Sequence, residues 1–340
     1  MEKVLIESGI MRYDCGCYII RQIMPYPLGE TNVFLAESSD GWSVIDVGVD
    51  LSTTREVWEQ ALKTVGISFN QIRHIYITHC HPDHMGAARW LQQHSGAPVY
   101  MLDAEIKRAQ KYIYLNEDNF KALYRQAISD KLTANRFPEN KAEELIQDWY
   151  AEVRPLYPEP VELLPLHEGD IIYFGDNTFE VLLVAGHTDG QSMFWSSQAK
   201  LLFTADILAA GAYLHFTDWP NTDLANPLEN LFDSFDRIKA LGVKRAFPGH
   251  GPVIEDLDSV IKGLMGKHRR NLDKVATAVT APISAGELYP SLYQMYDYVH
   301  HHRVVMGEVL GYLNYLTSRG KLVCNQVDGR IVYMPPLNAP

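Results

Sequence analysis

Thr78-His79-Cys80-His81-Pro82-Asp83-His84 is the stretch from which the rest of this 340-residue chain is read. The apolar, β-branched run Ile75-Tyr76-Ile77-Thr78 leads into it, and the small-residue run Met85-Gly86-Ala87-Ala88 follows. That order predicts a buried strand, a tight loop and the start of a helix. Side chains two apart in an extended loop point the same way, so His79 and His81 face one ion together. Asp83 and His84 lie one short turn further on, displaced towards a second ion. Imidazole with carboxylate suits zinc, iron or manganese rather than calcium. The alternative is a surface loop that happens to be rich in histidine. With 13 histidines in 340 residues, three of them and an aspartate within so short a run make chance a poor explanation. Cys80 should point away from the histidines flanking it and is not counted as a ligand.

Length and composition fit that chemistry. A chain of this size is expected to form one large domain with an appendage. Its 46% hydrophobic and 21% charged content is ordinary for a soluble globular enzyme. No uninterrupted apolar stretch reaches the roughly 18 residues of a membrane span. Met1-Glu2-Lys3-Val4 lacks the basic-then-apolar order of a secretion signal, so a cytoplasmic protein is expected. Cys15, Cys17, Cys80 and Cys324 are too scattered for a disulfide framework, and Cys15-Gly16-Cys17 has no partner pair for a zinc knuckle. The formal net charge of −12 argues against a nucleic-acid surface over the whole molecule. From residue 261 onward, nine Lys/Arg against five Asp/Glu give +4, which leaves −16 for residues 1–260.

Around the histidine run the chain alternates strands and helices. Asn32-Val33-Phe34-Leu35 pairs with Trp42-Ser43-Val44-Ile45 across Ser38-Ser39-Asp40-Gly41, and Asp46-Val47-Gly48 ends the second strand. Residues 55–65 have helical spacing and stop at Gly66; a helix over about 86–94 ends at Gly96, before a short strand at Val99-Tyr100-Met101. Residues 103–155 read as a long, helical, aromatic-rich insertion without a cluster of catalytic residue types. It is a lid over the site, a homodimer contact or plain structural filler. Strands resume after the proline-rich span 155–165, at 170–174 and 179–184, and the second runs into Ala185-Gly186-His187-Thr188-Asp189-Gly190. Leu201-Leu202-Phe203-Thr204 ends in Ala205-Asp206. A helix with apolar positions from Leu228 to Leu241 follows, and Arg245-Ala246-Phe247-Pro248-Gly249-His250 closes one more strand. Strand ends in αβ layers are where ligands gather.

With His79, His81, Asp83, His84, His187, Asp206 and His250 in this order, residues 30–255 resemble the metallo-β-lactamase superfamily. The resemblance implies an α/β fold, a four-layer αββα sandwich with two metal ions at one edge between the sheets. It implies that His79, His81 and His187 hold one metal and Asp83, His84 and His250 the other, with Asp206 bridging. Asp46 matches a position that supports the metal site from behind. The catalytic domain is expected over residues 1–255, and residues 256–340 resemble the small winged-helix-like tail of one branch, hydroxyacylglutathione-hydrolase-like. A helix there carries His268-Arg269-Arg270-Asn271, another spans 307–313, and Gly320-Lys321-Leu322-Val323 with 329–333 reads as the wing. His300-His301-His302 reads as a solvated face rather than a third metal site.

The resemblance implies a dinuclear metal-dependent hydrolase, expected with zinc, in which a metal-bridging hydroxide attacks an electron-poor carbonyl or phosphorus. Asp83 is expected to orient the hydroxide or to carry a proton to the leaving group. Relatives with this ligand set cleave thioesters, lactones, phosphodiesters and RNA. Lactonases of the family carry a tyrosine a few residues after the bridging aspartate; here the first tyrosine after Asp206 is Tyr213, which departs from that pattern. Tyr213 and His215 are candidates for the substrate pocket, with packing roles the alternative. The aromatic insertion favours a small-molecule thioester or related ester. RNA phosphodiesterase or lactonase activity is the alternative, motivated for RNA by the basic tail and opposed by the acidic body.

Overall fold

Strands buried on both faces are apolar at nearly every position, and the two faces then pack against different partners. The computed structural model describes residues 3–7, 9–24, 29–148, 151, 154–156, 159–211, 215–216, 222–294 and 299–336. Among these, β1 (Lys3–Glu7), β2 (Ile10–Tyr13), β3 (Cys17–Ile23), β4 (Glu30–Ser38), β5 (Gly41–Ile45), β6 (Ile72–Ile77), β7 (Val99–Leu102) and β8 (Leu163–Leu166) form one sheet in that spatial order. It is antiparallel as far as β5 and parallel from β5 to β8. A second sheet runs β13-β12-β11-β10-β9, from β9 (Ile171–Phe174), β10 (Asn177–Val184), β11 (Gln191–Ser196), β12 (Leu201–Ala205) and β13 (Arg245–Pro248).

The period-two alternation along β4 sorts its side chains between two cores. Phe34 and Ala36 enter the interior between the sheets, with Phe174, Phe179, Phe203 and Phe247 of the second sheet. The Phe34 and Phe203 rings meet edge-on at 4.9 Å, and each fully buried ring stabilises the fold by about 1.5–3 kcal/mol. Val33 and Leu35 join the outer core with Trp58, Ala61 and Leu62 of α1 (Ser52–Val65). On the far side α7 (Pro227–Ala240) covers the second sheet. It starts where Asn226 caps the Glu229 N–H and Pro227 occupies the first helical position. The layers are therefore helix, sheet, sheet, helix, as expected.

Three local readings change. Residues 163–166 form strand β8 despite Pro165, because β8 is an edge strand paired with β7 alone, so the missing N–H breaks no ladder. The helix after the histidine loop begins earlier than Met85: α2 (Pro82–Met85) already contains Asp83 and His84, and α3 (Ala88–Ser95) follows. His302 is buried and bonds Tyr289 Oη through Nδ1 at 3.1 Å, so it is not part of a solvated face. His301 Nε2 bonds the Gln294 carbonyl at 3.0 Å, and the side chain of His300 lies outside the described residues.

The insertion folds as α4 (Asp103–Arg108), α5 (Glu117–Ile128) and α6 (Glu139–Asp148). The chain ends in α8 (Leu257–Ala278), α9 (Ala285–Leu292), α10 (Val299–Ser318) and a hairpin of β14 (Val323–Val327) and β15 (Arg330–Met334). The first hairpin strand starts at Val323 rather than Gly320. Insertion and tail hold each other: Gly286 N–H donates to Asn135 O at 2.7 Å, Ile331 N–H to Ala134 O at 2.8 Å, and Arg136 pairs with Glu287. Apolar residues of α8, α9 and α10 continue the outer core without a break. Among the described residues no helix is long and apolar enough to cross a membrane, and the four cysteines are free thiols.

Candidate metal centre

Five chain segments end at one edge of the sandwich, and each delivers a polar side chain there. β5 is followed by Asp46, β6 by Thr78 to His81 and then α2, β10 by His187, β12 by Asp206 and β13 by His250. Two of these ends are strained. Asp46 at φ +59° and Ala205 at φ +45° take the left-handed backbone region that non-glycine residues seldom occupy.

The donor atoms fall into two groups, and within each they lie within 4.8 Å of one another. In the first, His79 Nε2 is 3.0 Å from His81 Nδ1, and His187 Nε2 is 3.1 Å from the same atom. In the second, Asp83 Oδ2 stands 3.3 Å from His84 Nε2 and 3.1 Å from His250 Nε2. Asp206 touches both groups: Oδ1 is 3.4 Å from His84 Nε2, while Oδ2 is 3.3 Å from His250 Nε2 and 3.5 Å from His187 Nε2.

Four of the five imidazoles are aimed by a bond at the other ring nitrogen. His79 Nδ1 meets Thr78 Oγ1 at 3.0 Å, His84 Nδ1 meets Asp46 Oδ2 at 2.8 Å, His187 Nδ1 meets His215 O at 2.7 Å and His250 Nδ1 meets Glu30 O at 2.9 Å. Each therefore presents Nε2 inward, the orientation a metal ligand needs. Asp46 also accepts from the Thr78 N–H at 2.8 Å and the Thr78 hydroxyl at 2.9 Å, which fixes the loop itself.

These residues fit a pair of cations. His84 Nε2 and Asp206 Oδ1 are buried 3.4 Å apart, and neither makes a well-formed hydrogen bond among the described residues, although buried polar atoms are as a rule hydrogen-bonded. His79 Nε2, His81 Nδ1 and His187 Nε2 converge, with the His79 and His187 protons directed to Thr78 Oγ1 and His215 O, so that two ring lone pairs face one point with at most the single His81 N–H between them. Space is kept open by Gly249, where a Cβ would stand 2.4 Å from Asp206 Oδ1 and 2.8 Å from His84 Cε1.

The two groups differ in charge. Burial holds His79, His81 and His187 below the usual imidazole range, so they are neutral. Burial alone would raise the Asp83 and Asp206 carboxyls, but the His84 and His250 imidazoles outweigh it and hold both well down. Reciprocally, burial opposes charge on His84 and His250, yet the carboxylates push both up, His250 to about 10.

The structure thus brings together all seven candidate ligands and Asp46. Tyr213 lies outside the described residues. His215 stands beside the centre through its carbonyl, and its ring Nδ1 lies 3.9 Å from Glu308 Oε1 on α10. Cys80 is buried and faces the Arg108 guanidinium, 3.0 Å from Sγ, with burial pushing the thiol up.

Supporting residues went unread. Thr31 Oγ1 donates to Asp83 Oδ2 at 3.2 Å. Asn32 Nδ2 donates to Pro248 O and Gly251 O, on either side of His250. Glu105 and Arg108, in the insertion that showed no cluster of catalytic residue types, contact the histidine loop at Cys80. Thr31 and Asn32 stand at the polar start of β4, and no local sequence signal marks any of the four as a support for the site.

The comparisons with known proteins agree with this geometry. Residues 26–250 match the family model described as the metallo-beta-lactamase superfamily. Over 328 residues the chain is 23% identical to the probable metallo-hydrolase YqjP of Bacillus subtilis, which covers 92% of this chain and 96% of that protein. Over 233 residues it is 25% identical to human (Homo sapiens) acyl-coenzyme A thioesterase MBLAC2, covering 64% of this chain and 72% of the relative. The crystal structure of the metallo-beta-lactamase family protein TTHA1429 from Thermus thermophilus superimposes with a TM-score of 0.79 at 25% identity, over 94% of this chain and 99% of that one. By ligand order, fold and family match together, the chain belongs to the metallo-beta-lactamase superfamily.

Proposed function

We propose that the chain is a dinuclear metal hydrolase acting on a thioester or related ester of a small molecule, with zinc as its metal. The observation that carries the proposal is the pair of adjacent donor groups spanned by Asp206. His79, His81 and His187 would hold one ion; Asp83, His84, Asp206 and His250 would hold the other, with Asp206 reaching both. Two divalent ions there would bring the pKa of a bound water towards neutrality and polarise the substrate carbonyl.

The chain's own groups supply the rest. Thr31 steadies the Asp83 carboxylate, which we assign to take the proton from the attacking water and return it to the leaving thiol. The water oxygen bonds to the acyl carbon, the C–S bond breaks, and acid and thiol are released. Support for an acyl substrate comes from the aromatic insertion, which packs on the helix that carries Asp83 and His84: Tyr114 Oη is 3.9 Å from the sulfur of Met85 on that helix. The thioesterase named among the relatives points to the same class.

The test is a substrate panel on zinc-loaded protein: acyl-coenzyme A thioesters of graded chain length, a homoserine lactone, a phosphodiester and single-stranded RNA. Thioester turnover well above the others is expected. Brisk lactone or phosphodiester cleavage with no thioester turnover overturns the assignment.

A further inference from the structure

One buried carboxylate outside the ligand set touches both loops that carry the all-histidine group. Glu105, fully buried on α4 at the root of the insertion, accepts the Cys80 N–H through Oε2 at 2.9 Å and the Gly190 N–H through Oε1 at 3.4 Å. Cys80 stands between His79 and His81, and Gly190 follows His187 by three residues. The two loops belong to different sheets. The Arg108 guanidinium, one turn along α4, lies 3.7 Å from Glu105 Oε2 and donates to Cys80 Sγ at 3.0 Å, so the buried charge has a counterion. The helix is pressed close: a Cβ at position 190 would fall 2.9 Å from the Ala104 Cβ.

We propose that Glu105 is a positioning residue that sets the spacing between the 79–81 and 187–190 loops, and so the geometry of the His79, His81 and His187 group. The inference rests on the reading of this edge as a metal centre and is independent of the substrate. A packing role alone would need no ionisable group here, since an apolar side chain would fill the space without the cost of burying one. The bonds instead go to main-chain donors on both loops. Ser192, whose N–H donates to Thr78 O at 2.9 Å, joins the same two sheets further back, so the fold does not depend on Glu105 for its assembly. The four-residue group at Asp83 receives no contact from Glu105 among the described bonds and is the internal control.

Glu105→Gln keeps the size but leaves one acceptor and places an amide N–H₂ against an N–H, so one loop must be released. Glu105→Asp keeps the charge and shortens the reach. Each variant is titrated with zinc, and with cobalt while its visible spectrum is followed, alongside thermal melting. The expected result is that Glu105→Gln weakens the site formed by His79, His81 and His187 by about tenfold or more and alters its cobalt spectrum. The other ion should bind as in the wild type, and Glu105→Asp should lose less. Unchanged affinities and spectra in both variants, with only a lower melting temperature, would reduce Glu105 to a structural residue and overturn the proposal. Wild-type protein that takes up no metal would instead overturn the metal-centre reading itself.

Discussion

Asn32 on β4 reaches across the sandwich and donates through Nδ2 to the Gly251 carbonyl at 2.8 Å, and to the Pro248 carbonyl at 2.9 Å. The His250 loop, which belongs to the other sheet, is thus gripped from both sides of its histidine. Asn32→Ala leaves both carbonyls without that donor. It should destabilise the protein by about 1–3 kcal/mol and weaken the ion at Asp83, His84, Asp206 and His250. Urea melts and a metal titration check this; a stability loss with both metal affinities intact would confine Asn32 to the fold.

Gly249 makes a purely steric prediction. Its backbone lies outside the left-handed region, so alanine costs nothing in φ, but the new Cβ would meet Asp206 Oδ1 at 2.4 Å. Gly249→Ala should displace the carboxylate that spans the two groups. A misplacement of about 1 Å at such a point costs on the order of a hundredfold in turnover. Near-wild-type kcat/KM in this variant would show that Asp206 does not have to stand where the structure puts it.

Charge separates the two ion sites as well. His79, His81 and His187 are neutral when metal-free, so an ion entering there displaces no proton from them. His250, pushed up to about 10, and His84, pushed up likewise, carry protons at pH 7 that a cation must expel. Because binding releases protons, affinity at that site rises with pH, by up to about tenfold per pH unit for each proton released. Calorimetric titration in two buffers of different ionisation enthalpy should report more protons released for the ion at Asp83, His84, Asp206 and His250 than for the other. Equal proton counts for the two ions would contradict the charge assignment.

The ligand set was legible because the chemistry demands rare residues, and because each sits where an apolar run stops. His187 and His250, far apart in sequence, each stand beside a glycine past the end of a strand, and the resemblance to the superfamily singled them out as ligands. The residues that hold the ligands in place were not legible. Asn32 and Pro248 are 216 positions apart, and nothing local marks a glutamate at 105 as the partner of the Cys80 and Gly190 amides. β8 was hidden by Pro165, whose tolerance depends on an edge position that emerges only from the sheet order. Burial of His302 likewise depends on Tyr289 of the neighbouring helix.

Glu308 on α10 tests how the tail meets the centre. It is 2% exposed, its Oε1 has no hydrogen-bond partner among the described residues, and burial pushes its carboxyl from an ordinary 4.5 up to about 8. Between those values the folded protein keeps a proton that the unfolded chain gives up. The folded state then binds more protons, so this group makes stability fall as pH rises from about 4.5 to about 8, after which the cost is complete. Glutamine carries no charge at any of these values. Glu308→Gln should therefore raise the melting temperature at pH 8 by about 2 °C or more relative to its effect at pH 5, with the gap widening steadily between. Histidines remote from position 308 are common to both proteins and cancel in the difference, and His215, whose Nδ1 lies 3.9 Å from Glu308 Oε1, is removed from it by repeating the comparison in a His215→Gln background. A gap that stays constant from pH 5 to pH 8 would mean that the carboxyl is already ionised in the folded protein, with a cation holding it there.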